Sequence, residues 1–210
     1  MTGLRERKKQ RTRDALIVAA HELFVTQGYE TTTVDQIAEA VDVSQRTFFR
    51  YFANKEEVAL FLQNMVERIY YEAVCARPVA EPPLECLRST LDDVWDDVGV
   101  AVEEITPLPL HLKMCQVIEV TPPLLAAHLR HSLLMEEKLV QEVARRTGVD
   151  ADRDPRPRVL VAAFTGGVMR TAARQWSMRN DASLETAREV TRDYIAQLGP
   201  ALASDWGRRS

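Results

Sequence analysis

The stretch ETTTVDQIAEAVDVSQRTFFRYFANKEEV, residues 30–58, constrains this chain more than any other. Thr33 followed by Gln36 has the spacing of a capping box. The hydroxyl accepts a backbone N–H three residues on, and the amide reaches back to the cap. It opens a short helix whose inward side is Ile37, Ala38 and Val41. Asp42 and Val43 fit a tight turn, and Ser44 is an N-cap residue for a second helix reaching Tyr51 or Phe52. Asn54 caps a third, with Glu56 and Glu57 in its first turn, where the helix dipole favours negative charge.

The second helix carries the chemistry. Phe48 and Phe52 stand at i and i+4 and anchor one side in a small core. The other side shows Gln45, Arg46, Phe49 and Arg50, with Thr47 between the two faces. Arg can make a bidentate contact to guanine and Gln to adenine, and an aromatic ring or a Thr methyl can lie against a thymine methyl. Tyr51 and Lys55 lie just past the helix, within reach of phosphate. Thr33 offers a hydroxyl beside free N–H groups at a helix start, a further phosphate contact.

The rest of the chain also reads as helix, so the fold class is all-α. Leu16, Ala19, Ala20, Leu23 and Phe24 make one stripe of a first helix over 5–27, which Gly28 ends in a left-handed conformation. The helix after Asn54 runs to about Ala76 and stops at RPVAEPP, residues 77–83. Beyond it come a helix over 84–98, a Pro-interrupted irregular stretch that holds His111, and a helix over 124–147. Two last helices span about 157–180 and 183–202. In these two, Val159, Ala163, Gly166, Met169, Ala173 and Trp176 form one stripe, and Leu184, Ala187, Val190, Tyr194, Leu198 and Leu202 form another. The stripes fit either packing within one chain or a surface between two copies. Gly166 and Gly167 in mid-helix cost about 1 kcal/mol each relative to Ala, which points to a close helix–helix approach.

Charge is unevenly spread. The chain totals 27 Lys/Arg against 31 Asp/Glu, for a net −4. Residues 1–55 carry an excess of two positive charges and the remainder an excess of six negative ones. Arg5, Arg7, Lys8, Lys9, Arg11 and Arg13 face only Glu6 and Asp14 in the first fourteen residues. Such a basic arm reads equally as a phosphate contact or as a solvated terminus.

Catalytic signatures are missing: no phosphate-binding glycine loop, no nucleophile elbow, and valine at position 25 where a zinc-protease helix beginning His21-Glu22 would need histidine. Neither an enzyme nor a bound cofactor is expected. Cys75, Cys86 and Cys115 are odd in number and widely spaced, as buried reduced thiols are. No apolar run approaches membrane-spanning length and none follows the charged start as a signal peptide would, so a cytoplasmic protein without a membrane partner is expected.

The run from Gly28 to Val58 resembles the TetR family of bacterial repressors. The matching features are Gly28-Tyr29, Thr33, Ile37-Ala38, Val43-Ser44, Thr47-Phe48, Tyr51-Phe52 and Lys55-Glu56. The resemblance implies an all-helical homodimer of about nine helices, with a helix-turn-helix DNA-binding domain over 1–55 and an effector-binding and dimerisation domain over 56–210. It puts Gln45, Arg46, Phe49 and Arg50 at base-reading positions and Thr33, Tyr51 and Lys55 at phosphate-contacting ones. Phe49 departs from the tyrosine frequent there and loses a hydroxyl that could bond phosphate. The resemblance also favours a four-helix dimer bundle built from the last two helices, using Val159, Gly166, Met169, Ala173, Trp176, Val190, Tyr194 and Leu198. The expected partners are double-stranded operator DNA, as an inverted repeat, and a small-molecule effector that releases it. Candidate effector-lining residues are Phe61, Met65, Trp95, His111, Met114, Cys115 and Phe164. The rival expectation is a helical ligand sensor or scaffold with no sequence-specific DNA binding.

Overall fold

The computed structural model describes residues 3–179, 181 and 183–199, and among them it contains nine helices and no strand. They are α1 (Leu4–Gln27), α2 (Val34–Ala40), α3 (Gln45–Phe49), α4 (Lys55–Ala76), α5 (Pro83–Glu103), α6 (Leu108–Val120), α7 (Pro122–Thr147), α8 (156–177) and α9 (Leu184–Ala196). The expected ends of the last two helices at Asn180 and at Leu202, with Leu202 of the second stripe, lie outside the described residues.

Two compact units divide the chain. One comprises the residues up to Glu67 together with Asp96–His131, and the other Arg68–Trp95 with the residues from Ser132 onward. The core of the first is built from Leu16, Ile17, Ala20 and Phe24 of α1, Ile37 and Ala38 of α2, Phe48 and Phe52, and Val58 and Leu62 of α4, closed by Met114, Ile118 and Leu124. The core of the second gathers Val74, Leu87, Leu91, Leu139, Val143, Val161 and Phe164.

Three features differ from the sequence expectations. Gly28 has φ 93° and ψ 151°, a positive-φ extended conformation rather than the left-handed helical one, and still a place where only glycine is unstrained. The stretch around His111 is regular helix. Pro107 and Pro109 stand in the cap and first turn, where the N–H a proline lacks has no helical partner to lose, and the Pro107 carbonyl accepts from Leu110 and His111 at 2.9 and 3.2 Å. Within α8, Ala162–Met169 winds as a π-helix between two α-helical segments. Gly166 and Gly167, which lack the side-chain crowding that holds a backbone to the tighter turn, sit inside it. Inside the chain they mediate no close helix crossing: a Cβ at Gly166 would meet the Arg170 guanidinium at 2.5 Å, and one at Gly167 would meet only the Ala162 carbonyl at 3.9 Å.

The end of α4 is closed by a side chain from α7. Buried Arg146 donates to the carbonyl oxygens of Val74, Arg77 and Pro78, the last two at 3.0 Å, and to Glu142 at 2.8 Å. Of the three, only Val74 lies in α4, so the guanidinium joins the last turn of the helix to the segment that follows it, adding to the Arg77 N–H that Val74 accepts at 3.3 Å and the Glu81 N–H that Pro78 accepts at 3.2 Å.

Candidate nucleic-acid interface

The geometry of α2, its turn and α3 follows from their caps. The Thr33 hydroxyl accepts the Gln36 N–H at 3.2 Å and Gln36 Oε1 accepts the Thr33 N–H at 2.9 Å, completing the capping box. The turn passes through Asp42 at φ 53°, a left-handed conformation that a short polar side chain tolerates. Ser44 Oγ then accepts the Thr47 N–H at 3.2 Å and starts α3. Its regular part ends at Phe49, but the N–H groups of Tyr51 and Phe52 still donate to the Phe48 carbonyl, at 2.9 and 3.1 Å. Asn54 caps α4 through the Glu57 N–H at 2.8 Å, and Glu57 reaches back to the Ala53 N–H.

These caps turn two faces of α3 in opposite directions. Phe48 and Phe52 are fully buried, their rings 5.7 Å apart, and Phe52 meets Phe61 of α4 edge-on at 6.0 Å. Gln45, Arg46, Phe49 and Arg50 are exposed and Thr47 is half-buried. Phe49 stands edge-on to Phe48 at 5.5 Å with 49% of its surface open. Arg46, Thr47, Phe49 and Arg50 line a shallow groove of about 400 Å³. Arg50 lies over the Tyr51 ring at 5.1 Å, with Nη2 3.4 Å from the phenol oxygen, so Tyr51, half-buried against the core of the first unit, steers this guanidinium. Acceptors and donors of this kind, held on a ring-packed platform, match the edges of base pairs in a major groove.

Lys55 is engaged differently from the sequence expectation. Its ammonium donates to the Tyr29 carbonyl at 2.6 Å and to that of Thr32 at 2.9 Å, and lies 4.2 Å from the Tyr29 ring centre. Partial burial lowers its pKa, against the opposing charge of Glu30. Lys55 therefore ties the loop between α1 and α2 to the start of α4, and these two bonds use two of its three N–H groups. No spacing pattern signals such a tie to backbone carbonyls.

The candidate effector residues fall into two groups. Phe61, Met65, His111, Met114 and Cys115 belong to the first unit, whereas Trp95 and Phe164 belong to the second core. His111 Nε2 lies 3.6 Å from Cys115 Sγ, which lies 3.4 Å from Gln63 Oε1. Burial drives His111 down to about 3 and pushes the Cys115 thiol up to about 12, so both are neutral at physiological pH. His21 of α1, held to about 4 by burial, places Nε2 3.3 Å from the Val58 carbonyl. Sequence reading passed over a second polar group, Glu67 with His128 and His131 at 3.6 and 3.5 Å, although two histidines at i and i+3 share a helix face. Of the stripe residues, Val159 and Ala173 are exposed and Gly166, Met169, Tyr194 and Leu198 half-buried, while Trp176 and Val190 are covered within the chain. Among the described residues no helix is long and apolar enough to cross a membrane.

Residues 16–61 match the family model of bacterial regulatory proteins of the tetR family, and residues 93–202 match that of the MftR C-terminal domain. The chain is 45% identical to the HTH-type transcriptional regulator TcmR of Streptomyces glaucescens, over 98% of this chain and 91% of the relative. It is 31% identical to the HTH-type transcriptional repressor NicS of Pseudomonas putida, over 45% of each chain. Among solved structures it is similar in fold to NalD, the secondary repressor of the MexAB-OprM multidrug efflux pump in Pseudomonas aeruginosa, with a TM-score of 0.57 at 19% identity over 95% of this chain and 100% of that one. A capped helix pair with an exposed polar and aromatic face, in a chain whose N-terminal and C-terminal parts match family models and which aligns over 98% of its length with a regulator, identifies a member of the TetR family, a DNA-binding transcriptional regulator of the helix-turn-helix type.

Proposed function

We propose that this chain works as a cytoplasmic homodimeric repressor whose two α3 helices enter successive major grooves of an inverted-repeat operator, about 34–36 Å apart. The observation that carries the reading is the exposed set Gln45, Arg46, Phe49 and Arg50 standing on buried Phe48 and Phe52. Arg46 and Arg50 read guanine, Gln45 reads adenine, and Phe49 and Thr47 supply apolar contact to thymine methyls. The Thr33 hydroxyl, the Tyr51 phenol and the third N–H of Lys55 hold phosphates. Residues 1–55 form the reading domain and 56–210 the effector and dimer domain. Exposed Val159 and Ala173 support a dimer surface on α8, with Gly166, Met169, Tyr194 and Leu198 at its edge and Trp176 and Val190 backing it from inside.

A small molecule releases the DNA by fitting the non-binding arrangement of the dimer better than the binding one. The largely apolar neighbourhood of Phe61, Met65, His111, Met114 and Cys115, with the imidazole and the thiol both neutral, favours a mainly apolar effector with a few polar handles, and α6, which carries three of these residues, packs on α1 of the reading head. Nothing in this scheme calls for catalysis.

The test is substitution on the open face of α3. Arg46→Ala and Arg50→Ala should each weaken operator binding by about 1–3 kcal/mol and relax preference at one base pair per half-site, with thermal unfolding unchanged. Unchanged affinity in both variants would instead favour a ligand sensor or scaffold that does not read DNA.

A further inference from the structure

The first half of α1 is helical without a packing reason to be. Every residue from Gly3 to Arg11 is exposed, and the first buried side chain is Leu16. Six cations stand on this segment, and the structure sorts them. Lys9 lies 3.8 Å from Glu6. Arg13 donates to Gln10 at 2.8 Å, lies 3.9 Å from Asp14, and rests over the Phe61 ring at 4.9 Å. Arg5, Arg7, Lys8 and Arg11 have no side-chain partner among the described residues.

At 3.6 residues per turn these four fall within about 160° of the helix circumference. Glu6, Lys9, Arg13 and Asp14 occupy the other side, which is also the side that buries Leu16, Ile17, Ala20 and Phe24 further along. The unpaired cations therefore point away from the core. Their placement works against the helix that carries them. Like charges at i, i+3 (Arg5 and Lys8) and i, i+4 (Arg7 and Arg11) repel, and positive charge at a helix N-terminus opposes the macrodipole. A polyanion laid along that face removes both penalties.

We propose that this face is an arm for the DNA backbone, running along phosphates beside the half-site that α3 reads. The inference rests on the operator-binding reading and extends it to sequence-independent contacts outside the recognition helix. The root of the arm is fixed to the same core as α3, because Arg13 lies over the Phe61 ring, Phe61 meets Phe52 edge-on and Phe52 packs on Phe48. Arg5 to Arg11 extends about 9 Å along the axis, alongside roughly three phosphates of one strand at 3.4 Å each. Two contacts per protomer are thus within reach, or four per dimer.

The experiment uses the full-length quadruple variant R5Q/R7Q/K8Q/R11Q, which keeps helix-favouring side chains and removes no packed atom. Affinity for the selected operator duplex and for a random-sequence duplex is followed from 50 to 200 mM salt. At about 0.9 per phosphate, the slope of log K against log salt should fall by about 3–4 on both duplexes. The advantage of wild type at 50 mM should accordingly shrink by about a hundredfold at 200 mM, with base preference retained. Equal slopes for wild type and variant on both duplexes would overturn the arm while leaving the reading helix intact. An arm-dependent slope in a wild-type protein that selects no sequence would uphold the arm and overturn the reading of α3.

Discussion

Replacing Lys55 by Met separates a structural tie from a phosphate contact. The side chain keeps its apolar length and loses two charge-assisted hydrogen bonds, to the carbonyls of Tyr29 and Thr32, and the contact with the Tyr29 ring. A hydrogen bond to a charged group contributes about 1.5–3 kcal/mol when buried. Lys55 is only half-buried and water can reach the released carbonyls, so the low end applies to each. The aromatic contact adds about 0.5 kcal/mol at such a site, for an expected loss of about 3.5 kcal/mol. The assay is urea unfolding at fixed protein concentration, since a dimer's midpoint depends on it. With a slope of about 2–3 kcal/mol/M, the midpoint should fall by about 1–2 M. Operator affinity of the folded fraction should change by at most the single phosphate left to the third N–H, a slope change of about 2 per dimer. A variant of unchanged stability that binds DNA more weakly would refute the tie and return Lys55 to a purely phosphate-binding role.

Other expectations follow the same logic. Arg146→Ala leaves Glu142 with only Arg145 and the Arg77 carbonyl without its side-chain donor, while the Val74 and Pro78 carbonyls keep the N–H groups of Arg77 and Glu81, so unfolding should become easier by about 3 kcal/mol, read by thermal or urea denaturation; a loss under 1 kcal/mol would mean that solvent already serves the Arg77 carbonyl. His21 and His111 are buried neutral, with pKa values lowered to about 4 and about 3. Above pH 6.5 neither folded nor unfolded chain protonates them. Below it the unfolded chain takes up protons the folded one refuses, and stability should fall by about 1.4 kcal/mol per pH unit per histidine down to about pH 4. His111→Gln should flatten that profile in urea titrations at several pH values, and a slope identical to wild type would show that His111 accepts a proton in the folded chain. Ser44→Ala removes the cap of α3 and should cost about 1 kcal/mol of stability, with weaker operator binding because the reading helix loses its start.

The reading head was legible in the sequence because its local signals agree with one another. Thr33 with Gln36, Ser44 and Asn54 each dictate a cap that can form from neighbouring residues alone, and Phe48 with Phe52 fix which side of α3 is inward. The helix around His111 is hidden in the sequence because prolines signal a break, although in a cap or first turn they are compatible with helix. The π-helical winding at Ala162–Met169 has no spacing signature, since apolar residues there fit several periods. The long-range ties were hidden for another reason. Lys55 and Arg146 bond to carbonyls 23–26 and 68–72 residues away, and a carbonyl carries no side-chain identity for a pattern to register.

The most direct test of the central claim is selection of bound duplexes by the purified full-length protein from a random DNA pool, in parallel with Arg46→Ala. Wild type should enrich one inverted repeat whose half-site centres lie about 10–10.5 base pairs, or a multiple, apart, and Arg46→Ala should enrich the same repeat with preference lost at one symmetric position. Enrichment of no motif by folded wild-type protein, or of an identical motif by the variant, would contradict the assignment of α3 as the reading helix.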